Sequence, residues 1–371
     1  KLDVNFTISN APGGVYITPT DTLTDNNGLA QTVLYAGTVP TTVTVKATTK
    51  VGGASCAPIV ISTGVPNARY LNFSCQADMI NVSGFSLDLI EQPCTVALAD
   101  RFTNKIPFPT KVFFRTEAGA IISSAETAET GDGLGTATVT LRTQNPRPKD
   151  VAPFADEVRI CSPEPCPDPL PDPIPANLQV YNPRDGLVTM IVATTGEEEF
   201  NDENGNGEYD AGEGFVDLGE PFVDVNDNNT WEGDEAFIDW NQNGVYDGPN
   251  GQWDGNAVIW KPAWVLWTGD LARGRGDCTD FSNSYSMICP DQFDIIDGGS
   301  MDFLFSVKDF NLNPLNGTGK IGVKVEGAGK LVGNTDFEIL HSLGMGIRTV
   351  RTPDAGNPKI LHESYTFGGY S

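Results

Sequence analysis

Thr24-Asp25-Asn26-Asn27-Gly28-Leu29-Ala30 runs directly into Gln31-Thr32-Val33-Leu34, and this stretch decides how the chain folds. Asp and Asn side chains close Asx turns on their own backbone, glycine accepts positive φ, and a small Ala leads into a Thr/Val strand. The succession returns as Gly135-Thr136-Ala137 before Thr138-Val139-Thr140-Leu141. A second motif recurs about 200 residues apart: Asp100-Arg101-Phe102-Thr103-Asn104 before the strand Lys111–Arg115, and Asp309-Phe310-Asn311-Leu312-Asn313 before Lys320–Val325. Such spacing implies duplicated domains with a large insert.

Outward from these turns, apolar residues alternate: Val4/Phe6/Ile8, Val43/Val45, Val112/Phe114, Val139/Leu141 and Phe303/Phe305/Val307. Period-two runs separated by Gly, Pro, Asn and Asp predict an all-β chain of sandwiches with few, short helices. With its T-D-N-N-G-L-A turn and its D-x-x-x-N motif, the chain resembles group 1 bacterial Ig-like domains, the invasin and intimin type. The resemblance implies tandem Ig-like β-sandwiches on a bacterial cell surface, as spacer, adhesin stalk or filament subunit, with no catalytic residues to carry over. The expected domains are 1–64, 65–196 and 257–371, with a Pro-rich loop at 146–183 in the second and an acidic insert at 197–256. The first lacks the opening strands of that family. Either a longer chain or a neighbouring subunit is expected to supply them, which makes self-association or further domains the expected partners.

Composition narrows the function. The 371 residues carry 49 acids against 23 bases, a net charge of −26, which excludes a phosphate-neutralising nucleic-acid binder and docking on anionic lipid. No run of about 18 apolar residues suits membrane insertion. Only His341 and His362 exist, and no G-x-S-x-G or phosphate-binding glycine loop appears, so the reading is non-enzymatic. Seven cysteines without a metal or haem pattern suit local disulfides. The candidate pairs are Cys75 with Cys94, Cys161 with Cys166, and Cys278 with Cys289, which leaves Cys56 over. That usage points outside a reducing cytosol.

The charge is concentrated. Between Glu197 and Asp254 lie 18 acids and no Lys or Arg, leaving −8 for the other 313 residues. Phenylalanines frame the block at Phe200, Phe215, Phe222 and Phe237, each two residues before an Asp. The first unit fits the calcium-loop pattern D-x-[DN]-x-[DN]-G-x5-E: Asp202, Asn204, Asn206, Glu208 through its carbonyl, Asp210 and a bidentate Glu213. Asp217 and Glu220 belong to the short unit at Phe215. The next loop offers Asp224, Asn226, Asn228, Glu232 and Glu235, with Asn229 in the glycine position. The last offers Asp239, Asn241, Asn243 and Asp247, but Asn250 stands at its twelfth position, where Asp254 is a candidate substitute. Loop starts 15 residues apart leave no room for EF-hand helices, so the units resemble thrombospondin type 3 or dockerin-like loops. Two to four structural calcium ions are expected, offsetting repulsion among the carboxylates.

All six tryptophans lie between Trp231 and Trp267. Trp260, Trp264 and Trp267 enter the last domain as W-K-P-A-W-V-L-W, and two readings compete. One is an aromatic platform for a surface glycan or receptor. The other is a small aromatic core replacing scarce aliphatic residues.

Overall fold

The computed structural model describes residues 1–9, 12–37, 40–154, 159–162 and 166–269, with short segments between 277 and 368. Strands and four single-turn 3-10 segments make up the regular structure, with no α-helix among the described residues. The chain is all-β, as its alternation predicts.

The first sandwich contains β1 (Asp3–Ser9), β2 (Tyr16–Thr18), β3 (Asp21–Leu23), β4 (Val33–Tyr35), β5 (Thr41–Thr49), β6 (Gly52–Ser55) and β7 (Ile59–Ile61). One sheet runs β3-β1-β5-β6, with β7 also on β5; β2 and β4 form the other. Val4, Phe6 and Ile17 fill its small core, with Ile8, Leu34 and Val45 packed against them. The opening turn forms as read: Asp25 Oδ1 accepts the N–H groups of Asn27 and Leu29, both at 2.8 Å. Gly28 sits at φ 80°.

The second sandwich is larger. It comprises β8 (Asn72–Cys75), β9 (Asn81–Val82), β10 (Glu91–Ala97), β11 (Lys111–Thr116), β12 (Ser124–Glu126), β13 (Thr136–Arg142), the hairpin β14 (Ile160–Ser162) with β15 (Gln179–Tyr181), then β16 (Leu187–Gly196) and β17 (Ala257–Trp267). A sheet ordered β13-β10-β8 faces one ordered β12-β11-β16-β17-β9. Val96, Val112, Phe114, Leu141, Met190, Val192, Ile259, Val265 and Trp267 share its core. Each fully buried aliphatic or aromatic side chain contributes about 1.5–3 kcal/mol.

Two of the three expected disulfides form. Cys75 is joined to Cys94 and Cys161 to Cys166, and Cys56 is a free, exposed thiol. The third expected pair, Cys278 with Cys289, is not among the disulfides of the described residues. Cys289 itself lies outside the described residues, and Cys278 is described only as backbone of the short strand Asp277–Thr279.

One expected boundary is wrong. β17 does not open a third sandwich; it pairs antiparallel with β16 over ten residues, from Leu187↔Leu266 to Gly196↔Ala257. The acidic block is therefore the loop of a long hairpin within the second sandwich. Alternation along β17 reads equally well for either neighbour, so only the pairing decides. The repeated D-x-x-x-N turns mark the junctions instead. Asp100 Oδ1 accepts from Phe102 and Asn104 and its Oδ2 from Thr63 N, in the segment leaving the first sandwich. Asp309 repeats this with Asn311, Asn313 and Gly269 N, just past β17.

Candidate metal centre

β16 is buried along almost its whole length because its sheet is covered on both faces. Val188, Met190 and Val192 point into the sandwich core. Residues of opposite parity meet the insert: Phe113 of β11 packs edge-on to Trp240 at 5.4 Å, and Trp260 of β17 against Phe222 at 5.4 Å. The insert carries no basic residue, so the sandwich supplies them. Arg69 pairs with Glu199 at 2.8 Å, Arg101 with Glu197 at 2.9 Å, and Arg184 with Asp227 at 3.5 Å.

Inside the insert the chain folds into two lobes with one plan. In one lobe Phe200 and Phe215 form a β-bridge and flank a stacked Tyr209–Trp253 pair, 4.7 Å between centroids. In the other, Phe222 and Phe237 form the bridge, and the stack is Trp231–Tyr246 at 4.5 Å. Counterparts up to the nesting point lie 22 positions apart: Glu198/Glu220, Phe200/Phe222, Asp202/Asp224, Glu213/Glu235, Phe215/Phe237 and Asp217/Asp239. The second lobe is nested within the first, between Gly219 and Asn250.

Each lobe holds two cradles built on one hydrogen-bond pattern. In the first, Asp202 Oδ1 accepts Asn206 N at 3.1 Å and Oδ2 accepts Gly207 N at 2.7 Å. Glu213 Oε1 accepts Glu203 N at 2.9 Å, and its Oε2 accepts Asp210 N at 3.0 Å. Asn204 and Asn206 turn their amides onto Asp210 Oδ2 at 2.6 and 2.8 Å. The second cradle repeats this with Asp224, Asn226, Asn228, Glu232 and Glu235. At the sharp turn Gly207 has φ 80° and Asn229 φ 59°, so asparagine does take the left-handed glycine position. Glu208, whose expected role is its carbonyl, donates its N–H to Asn206 Oδ1 at 2.7 Å.

The third and fourth cradles are discontinuous. Asp239, Asn241, Asn243 and Asp247 follow the plan, but neither Asn250 nor Asp254 completes them. The twelfth position is taken by Glu220 from upstream: its Oε1 accepts Trp240 N at 2.6 Å and its Oε2 accepts Asp247 N at 3.2 Å. Asp217 starts a fourth cradle that resumes 33 residues later, accepting Asn250 N at 3.1 Å and Gly251 N at 2.5 Å. Asn250 donates to Asp254 Oδ2 at 2.7 Å, and Glu198 closes the ring on Leu218 N and Asp254 N at 2.7 and 2.9 Å. Sequence reasoning missed Glu198 and Asn250 as cradle members and misplaced Asp254. The 22-residue offset from Glu220 to Glu198 was the available signal.

Among the described residues no three His, Cys, Asp or Glu side chains form a metal cluster by themselves, because asparagines separate the acids. The donor set nevertheless fits a hard cation. The amides of positions three and five converge on the carboxylate of position nine, while their oxygens accept N–H groups two residues on, Asn204 from Asn206 N and Asn206 from Glu208 N. Carboxylate, amide and backbone carbonyl oxygens are the donors that calcium takes. Burial pushes Glu198 up to about 7, opposed by its N–H bonds and reinforced by Asp217 and Asp254. Burial raises Asp224, Asp227 and Glu235 as well. Bound positive charge reverses that direction.

The three tryptophans separate by strand parity. Trp260 and Trp264 face the insert. Trp267 is fully buried in the core and donates its Nε1–H to Gln92 at 2.9 Å, so it offers no glycan contact.

No protein-family model and no curated protein matches the chain. Among solved structures, the D0-D1 domain of intimin aligns at 16% identity over 52% of this chain and 72% of its own, with a TM-score of 0.18. Invasin, described as a bacterial integrin-binding protein, aligns at 13% identity over 77% of this chain and 56% of its own, with a TM-score of 0.20. The fold stands on its own sheets and registers rather than on these low scores.

Proposed function

We propose that this chain is a non-enzymatic extracellular structural protein, a rod of Ig-like sandwiches at a bacterial surface, serving as adhesin stalk or filament subunit. Calcium stiffens it through the hairpin insert. The observation that carries the reading is the same oxygen-donor cradle built four times, twice from chain segments that meet only when folded. Those residues would hold about four ions, two per lobe, and the metal would supply the positive charge that an insert without Lys or Arg lacks. The two disulfides support an oxidising compartment. Bound lobes would lock the outer face of the β11-β16-β17 sheet, so the strand pair and its insert move as one body.

Calorimetry with calcium and chelator tests this. At 1,000 times its dissociation constant each independent site adds about 4 kcal/mol, so chelation lowers the melting temperature markedly. No Lys or Arg lies between Arg184 and Lys261, so trypsin is blind to the insert. A Glu-specific protease cuts 197–256 after chelation and spares it in calcium. Identical melting and cleavage in both conditions would falsify the calcium role.

A further inference from the structure

Where the insert lies on the outer face of the sheet, it leaves a cavity of about 480 Å³. Thr189 and Trp264, register partners on β16 and β17, line it together with Trp260, Trp231 and Tyr246. That volume is within the range of about 300–1,000 Å³ typical of small-molecule sites. The four rings are only partly buried, unlike Trp267, with Trp231 and Tyr246 each giving one face to their mutual stack. Thr189 is 1% exposed, and its hydroxyl is buried with no hydrogen-bond partner. Buried polar groups are nearly always paired, so an orphan beside an aromatic cavity marks a place where a ligand group belongs.

We propose that this cavity binds a short neutral saccharide. A pyranose ring presents C–H groups on its faces, which stack on indole and phenol, and hydroxyls on its rim, one of which pairs with Thr189. A purely apolar ligand would leave that hydroxyl unpaired, at the full desolvation cost. Among the described lining residues Lys261 is the one basic side chain, so an anionic sugar finds no arginine fork there. Both walls must be in place, so binding rests on the folded insert. It does not require the rod reading.

The test is calorimetric titration of the calcium-saturated full chain with cellobiose, lactose, maltose and diacetylchitobiose. An anionic uronate disaccharide and a proline-rich peptide serve as comparisons. At least one neutral sugar is expected to bind saturably, with a Kd of about 1 mM or tighter. Trp264→Ala should weaken it at least tenfold while retaining the wild-type calcium stoichiometry. Thr189→Val should weaken it at least threefold and melt no lower than wild type, a split that a merely structural threonine would not produce. No saturable neutral sugar, binding unchanged in both variants, or binding confined to the uronate or the peptide would overturn the assignment. Sugar binding without calcium binding would overturn the metal reading alone.

Discussion

Replacing Glu220 by Gln isolates the strangest feature of the insert, a twelfth-position carboxylate that precedes its own loop. Glu220 is 4% exposed, and its two oxygens accept Trp240 N at 2.6 Å and Asp247 N at 3.2 Å. A glutamine keeps one acceptor and turns an NH2 group toward the other N–H. The unpaired donor costs about 1–3 kcal/mol without any metal. With calcium at 1,000 times its dissociation constant, the lost site removes a further 4 kcal/mol, roughly. For a domain of this size about 2–4 °C accompanies each kcal/mol, so the calcium-dependent rise in Tm should shrink by about 8–16 °C. Paired calorimetric melts in calcium and in chelator separate the two contributions, and titration counts the ions. Glu213→Gln, in a contiguous loop, should behave alike. Should E220Q bind as many ions as wild type, with the same calcium-dependent rise in Tm, the discontinuous cradle is not a metal site.

Two further outcomes follow from the sandwich. Burial pushes the Glu117 carboxyl from its ordinary 4.5 up to about 8, against the N–H bonds it accepts from Thr189 and Lys149. The folded state then holds the extra proton between those values, so this stability is full at acid pH and is lost as pH rises through about 8. Its ceiling is on the order of 5 kcal/mol. The difference between urea melts at pH 6 and pH 9 should narrow in Glu117→Gln, with the remainder left to other raised carboxyls such as Asp185 and Glu198, and an unchanged pH slope in that variant would refute the assignment. At Gly84 an added Cβ would stand 2.3 Å from Cγ and 2.4 Å from Cδ2 of Trp267. Gly84→Ala should therefore cost about 1–3 kcal/mol, read from urea melts of the two proteins. Equal stability of Gly84→Ala and wild type would show that the ring moves freely.

Much of this was legible locally. Asp25 and Gly28 dictate a turn through their own backbone, whatever surrounds them, and alternation dictates strands. The contiguous loops at Asp202 and Asp224 are equally self-contained, since Asx turns and a left-handed sixth residue fold twelve neighbours around one centre. Disulfide spacing was legible for Cys75 with Cys94, which face each other across β8 and β10, and for the tight Cys161–Cys166 loop. The same reasoning from spacing gave Cys278 with Cys289, a pair the described residues do not include. The tryptophan assignment was also within reach. Trp260 and Trp264 are four apart and share a strand face, whereas Trp267, three further on, takes the other.

What the sequence alone determined, then, is the all-β class and the turns of two contiguous acidic loops, with Cys75–Cys94 and Cys161–Cys166 offered among candidate pairs, because each depends on residues within one loop or strand pair of one another. Only the tertiary structure decided that β17 belongs to the second sandwich and that the insert is nested. The same holds for Glu198 and Glu220, which complete cradles whose other members follow them in the chain. The physical reason is that these features depend on which segments pair across 20 to 60 residues, roughly, and period-two patterning does not name a strand's neighbour. Once β16 and β17 are zipped from Leu187↔Leu266 to Gly196↔Ala257, Glu198 is brought beside Asp254, and the acidic run closes on itself.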